Sequence, residues 1–139
     1  MNEYKYSDLT EGMSESFQVK VTEQMLEQFR QITGDINPLH SIKEFAQERG
    51  YRDQVVFGML TASFLSTLAG VYLPGKNSLI YEVETKFVKP VFPGDELTIS
   101  GTVEEKNDLF QLFKMKVVIL NQNGEKVLRG KMKVGVGNG

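Results

Sequence analysis

QVVFGMLTASFLSTLAGVYLPG, residues 54–75, holds no charged side chain, and its apolar residues (Val55, Val56, Phe57, Met59, Leu60, Phe64, Leu65, Leu68, Val71, Leu73) fall on every side of a helix. Its length approaches the roughly 20 residues that a bilayer span requires. Against a span, Gln54, Thr61, Ser63, Ser66 and Thr67 interrupt it, and Pro74-Gly75 closes it. A helix apolar nearly all round is also what the centre of a soluble domain needs. The stretch therefore reads as a buried helix, and other parts of the chain must cover it.

That cover is legible downstream. Residues 78–88 alternate through Leu79, Tyr81, Val83, Thr85 and Phe87, as a half-buried strand does. Pro93-Gly94 marks a turn, 96–105 alternates through Leu97, Ile99 and Val103, and 110–120 reads as a third strand. Asn123-Gly124 is a two-residue hairpin signal into a fourth, 125–136. Four long antiparallel strands after an all-round apolar helix imply a twisted sheet that curls about it, an α+β architecture. Upstream, 16–21 reads as a short strand and Thr22 as the N-cap of a helix reaching Thr33. On that helix Met25, Leu26, Phe29 and Ile32 share a face, and Gly34 suits its C-terminal cap. After a loop over 35–40, Ser41-Ile42-Lys43-Glu44 has capping-box spacing for a short helix ending at Gly50.

At 139 residues, without repeats or linkers, the chain reads as one domain, 1–139, large enough for a true core. A net charge of -2, with 16 Lys and Arg scattered along the chain, shows no basic run for nucleic acid. No cysteine and one histidine leave no thiolate nucleophile, disulfide or metal site to expect. The first residues, MNEYKYSDLTEGM, are acidic and lack an apolar core, so no secretory signal is read and the cytoplasm is the expected location.

The one histidine stands in Gly34-Asp35-Ile36-Asn37-Pro38-Leu39-His40. A carboxylate, a carboxamide and an imidazole held close by a proline can bind, polarise and deprotonate one water molecule. Plainer readings stand beside this: an Asx-type turn between helices, a packing glycine at Gly58, and a Ser66 hydroxyl bonded to the preceding turn. Together, Phe29, Ile32-Thr33-Gly34-Asp35, Asn37-Pro38-Leu39-His40 and Ala46 resemble the signature of the (R)-specific enoyl-CoA hydratases, the MaoC-like dehydratase family. Phe57-Gly58-Met59-Leu60, Ser66 and the stretch FVKPVFPG at 87–94 extend the likeness over essentially the whole chain.

The resemblance implies a single hot-dog domain that adds water across a trans-2-enoyl thioester, or removes it from an (R)-3-hydroxyacyl thioester. Such chemistry needs a base for water, a proton for C2 and donors for charge on the thioester oxygen. By resemblance Asp35 and His40 jointly handle the water, and the Gly58 backbone N–H, at a helix start, receives the oxygen. Ser66 and Asn37 are supporting residues, and Phe57, Met59, Leu60 and Phe64 shape an acyl tunnel. Family members commonly carry histidine before the glycine, where this chain has Phe57. The carrier is CoA or an acyl carrier protein, with Arg52, Lys86 and Lys89 as candidate phosphate contacts beside the plainer reading of each as a solvated surface charge. No cofactor, metal, nucleic acid or membrane is implied, and a homodimer or an assembly of dimers is. Competing readings are a hot-dog acyl-CoA thioesterase, which releases free thiol, and a non-catalytic hot-dog subunit of a heteromeric dehydratase.

Overall fold

The computed structural model describes residues 1–137; residues 138 and 139, the end of the span read as one domain, lie outside the described residues. One antiparallel sheet in the order β1-β3-β4-β5-β2 is built from β1 (Ser14–Lys20), β2 (Ser78–Phe87), β3 (Glu96–Asn107), β4 (Leu112–Leu120) and β5 (Lys126–Val136). The helices are α1 (Glu23–Thr33), α2 (Lys43–Glu48) and α3 (Gly58–Thr67), the last winding on as a π-helical turn, Leu68–Tyr72. Leu60, Leu65, Leu68 and Ala69 of this central helix are buried against the inner sheet face, where Leu97, Ile99, Val103, Phe113, Met115, Val117 and Ile119 are buried too. The helix is shorter than the apolar run that contains it, because it begins only at Gly58 and ends at Tyr72. Among the described residues no helix is long and apolar enough to cross a membrane.

Local signals set the helix ends. Thr22 Oγ1 accepts the Met25 N–H at 3.2 Å, and Gly34, at φ 73°, turns its N–H onto Arg30 O at 2.8 Å. The helix face read from the sequence is only partly covered: Leu26 is buried, whereas Ile32 is 82% exposed. The capping box at Ser41 does not form. The N–H groups of Ser41 and Ile42 both bond to Pro38 O (3.2 and 2.9 Å), so Ser41 closes the preceding turn, and Ile42 caps α2 without a side-chain bond.

Two strand readings need correction. Leu79, Tyr81, Val83 and Phe87 do not share a face, because the register slips between Ile80 and Glu82. This bulge inserts one residue and reverses the alternation. Val83 and Phe87 pair with the buried Met132 and Leu128, on the helix side. Leu79 pairs with Gly135 on the outer side, and the Tyr81 ring covers that glycine, where a Cβ would stand 2.5 Å from Cε2. β4 begins at Leu112 rather than 110, since Asn107 Oδ1 accepts the Phe110 N–H and Gln111 takes φ 50° in the β3–β4 turn. The Asn123-Gly124 hairpin forms with a three-residue loop. Gly124 alone is left-handed (φ 74°), Asn121 pairs with Glu125, and the Gly124 N–H reaches Asn121 O.

β2 is an edge strand, and its Tyr81, Val83 and Phe87 are 59%, 48% and 52% exposed. The opposite edge, β1, is polar in every second residue, with Glu15 held by Asn2 and Tyr4. On the outer face the register lines up Glu82, Lys133, Lys114 and Glu105, and beside them Glu84, Lys131 and Lys116. Cations scattered in sequence are thus collected on the back of the sheet.

Candidate active site

The loop carrying Asp35 and His40 is fixed by short-range bonds. The Asp35 N–H donates to Thr33 Oγ1 at 3.2 Å, and Asp35 Oδ1 accepts the Asn37 N–H at 3.1 Å. Asn37, extended ahead of Pro38, accepts the Leu39 N–H on Oδ1 at 3.0 Å and caps the 3-10 turn Pro38–His40. The Asx-type geometry is therefore present, and it holds the carboxylate and the imidazole on one rigid loop. Asn37 uses its oxygen within that loop.

His40 Nδ1 lies 2.7 Å from Val55 O. A carbonyl only accepts, so Nδ1 carries the proton, and in the neutral ring Nε2 keeps its lone pair. The Val55 N–H returns a bond to Leu39 O at 3.0 Å, stitching the loop to the segment that leads into α3. Phe57 stacks on the imidazole at 4.1 Å between centroids, and Phe29 packs on Phe57 at 4.9 Å. With one nitrogen tied and one face covered, the ring has little freedom to turn.

His40 and Gly58, distant in sequence, line one cavity of about 290 Å³ together with Tyr51, Thr61, Phe87, Lys89 and a wall of Val55, Val56, Val88, Pro90, Val91 and Val127. Gly58 opens α3, and Phe57 before it offers no side-chain acceptor. The first intrahelical N–H donors are Leu60 and Thr61, both to Phe57 O, so the Gly58 amide precedes the bonded ladder. The partial positive charge of the helix start adds to it. A Cβ at Gly58 would stand 3.1 Å from the Phe87 ring, so the missing side chain keeps open the gap between α3 and β2.

Asp35 is exposed on its loop, outside this cavity wall. Ser66 is exposed on α3, on the same side as Met59 seven residues earlier, which is 67% exposed. Phe57 and Leu60 are buried in the core and Phe64 is half-buried, so none of the four residues assigned to a tunnel sits on this wall. Phe57 instead backs His40. Of the cations assigned to phosphates, Lys89 lines the cavity and pairs with Glu125, and Arg52 lies 4.2 Å over the Phe92 ring and 3.6 Å from Asp95 Oδ1. Lys86 stands apart, in an outer-face groove with Lys116, Lys126, Arg129 and Lys131. The sequence reading missed Thr61, Phe87 and the Val55 carbonyl. Thr61 had a signal, a hydroxyl one turn beyond Gly58; the carbonyl had none. Among the described residues no group of three or more His, Cys, Asp or Glu side chains is placed to hold a metal.

A curved sheet wrapped on an apolar helix is the hot-dog fold, and here it brings an oriented imidazole and a helix-start glycine to one cavity. The MaoC like domain model matches residues 8–124, and the chain belongs to this hydratase/dehydratase family. It is 30% identical over 133 residues, 93% of this chain and 89% of the relative, to an (R)-specific enoyl-CoA hydratase of Rhodospirillum rubrum. A second (R)-specific enoyl-CoA hydratase, of Aeromonas caviae, is 34% identical over 76% of this chain and 79% of its own length. The unliganded R-hydratase of Pseudomonas aeruginosa superposes with a TM-score of 0.90 at 26% identity, covering 95% of this chain and 84% of that one.

Proposed function

We propose that the chain is an (R)-specific enoyl-CoA hydratase, adding water reversibly and syn to trans-2-enoyl-CoA to give (R)-3-hydroxyacyl-CoA. The observation that carries this reading is the Nδ1 contact of His40 to Val55 O, which leaves Nε2 as a fixed base in the cavity that Gly58 opens. In the forward direction water is held between His40, on the cavity wall, and Asp35, on the same loop outside that wall, and loses a proton to the pair as its oxygen attacks C3. The C2–C3 π pair moves onto the thioester oxygen, where the Gly58 N–H stabilises the enolate. Collapse of the enolate takes a proton from the same pair at C2, on the face that water entered. The roles of acid and base are those of the pair, not divided between its members.

The active unit in this proposal is a homodimer. The unpaired edge of β2 and the open side of α3 expose Val83, Phe87 and Met59, and a second copy laid along them covers all three. The acyl chain then runs between subunits, past the exposed side of α3 that carries Met59 and Ser66.

Incubation with crotonyl-CoA tests the reaction. Loss of the conjugated enoyl absorbance and an (R) product are expected. Asp35→Asn and His40→Ala are each expected to lower kcat by about a hundredfold to ten-thousandfold, the range of general acid–base catalysis. An (S) product, or undiminished activity in either variant, overturns the mechanism. Free thiol release instead of absorbance loss identifies a thioesterase, and recovery in complex with a different hot-dog chain identifies a heteromeric subunit.

A further inference from the structure

Thr61 is 2% exposed, lines the cavity with His40 and Gly58, and its Oγ1 has no hydrogen-bond partner. Among the described residues it is the one buried side-chain polar atom so left. The reason lies one turn back. A helical threonine ordinarily rests its hydroxyl on the carbonyl four residues earlier, as Thr33 does on Phe29 O at 2.8 Å. For Thr61 that carbonyl belongs to Phe57, and it already accepts the N–H groups of Leu60 (3.1 Å) and Thr61 (3.2 Å). Two lone pairs are thus both engaged. Nearby walls are apolar, Val56, Phe87, Val91 and Val127, and His40 Nδ1 is committed to Val55. A buried hydroxyl without a partner is costly and is retained where something else completes it.

Residues three apart on a helix are neighbours on its surface, and side chains lean toward the helix start. The Thr61 side chain therefore leans toward the first turn of α3, which Gly58 opens. Resting on the hydratase reading above, we propose that Thr61 Oγ1 donates a second hydrogen bond to the thioester carbonyl oxygen, making with the Gly58 N–H a two-donor oxyanion hole. Both bonds strengthen as charge moves from C2 to that oxygen and relax when it returns, so Thr61 acts on the transition state rather than on binding. No proton is transferred to or from Thr61.

Steady-state hydration of crotonyl-CoA by the full chain is compared with Thr61→Val, which keeps the shape and removes the hydroxyl, and Thr61→Ser, which keeps the hydroxyl. Thr61→Val is expected to lose about a hundredfold to a thousandfold in kcat, the effect of deleting one oxyanion donor. Its KM is expected to be nearly unchanged, and its melting temperature equal to or above that of the wild type. Thr61→Ser retains most of the rate. Wild-type kcat in Thr61→Val, or a raised KM alone, overturns the proposal while the hydratase reading stands. A wild-type chain that hydrates no enoyl-CoA overturns both. Vibrational spectra of bound butyryl-CoA, which cannot be hydrated, supply a second readout. The thioester carbonyl stretch is lowered in the wild type and returns toward its free value in Thr61→Val, or in Thr61→Ala should the valine variant not fold. A stretch identical in wild type and variant overturns the assignment.

Discussion

Truncating Phe57 to alanine removes two supports at once, a large side chain of the core and the surface on which the His40 ring lies. The first costs about 3–5 kcal/mol of folding free energy, the range for a buried phenylalanine whose space cannot fully collapse. The second releases the imidazole to turn about its Nδ1 tie. Chemical denaturation is expected to show that loss of stability. Residual folded Phe57→Ala is expected to hydrate crotonyl-CoA more slowly than its folded fraction accounts for; activity in proportion to that fraction refutes the supporting role. At this scale the sequence was legible wherever the cause was local. Asn37, Pro38 and Asp35 build their loop from bonds within three residues, so the motif carries its own geometry. Phe57 was less legible, because its inward direction depends on Phe29 and His40 across the chain. The solitary Thr61 hydroxyl required knowing that the Phe57 carbonyl is already shared.

Among the elements, two glycines differ sharply in what they permit. Gly101 of β3 faces the central helix, and a Cβ there meets the Met115 thioether and, at 2.9 Å, Leu68 Cδ2. Both are ends of side chains that can shift, so Gly101→Ala is expected to cost about 1–3 kcal/mol, as overpacking does. At Gly130 of β5 a Cβ runs into the carbonyl oxygen of Glu84 in β2, which is main chain and cannot give way. Gly130→Ala is therefore expected to detach β2 from β5, seen as early exchange of the β2 amides and loss of a cooperative melt. Equal stability of the two variants contradicts this distinction. Strand identities were readable from alternation, since period two is imposed by the pleat. The β2 bulge was not, because it answers to Gly135 on another strand: the Tyr81 ring fills the space over a residue without a side chain. The hairpin at Asn123-Gly124 was readable as a turn, while its length was settled by Asn121, whose Oδ1 accepts the N–H groups of Asn123 and Glu125.

For the molecule as a whole, the decisive property is where apolar surface remains after the core is made. At the sheet edges it remains on β2 and the adjoining side of α3, whereas β1 is polar in every second residue; away from those edges Ile32, Ile36, Leu109 and Phe110 also stay exposed. Light scattering is expected to give twice the chain mass for the wild type and the chain mass for Val83→Lys, which places an ammonium in the shared edge. Monomeric wild-type protein, or a dimeric Val83→Lys, refutes β2 as the junction. None of this was visible as composition, because a net charge of -2 says nothing of which face each charge occupies. The outer rows of lysine and glutamate and the blunted β1 edge have a consequence of their own. In the language of polymer chemistry, the β2 pairing proposed above would make this sheet monofunctional. A strand edge that pairs once is used up, and among the described residues the other edge, β1, is polar in every second residue and is no like edge from which to propagate.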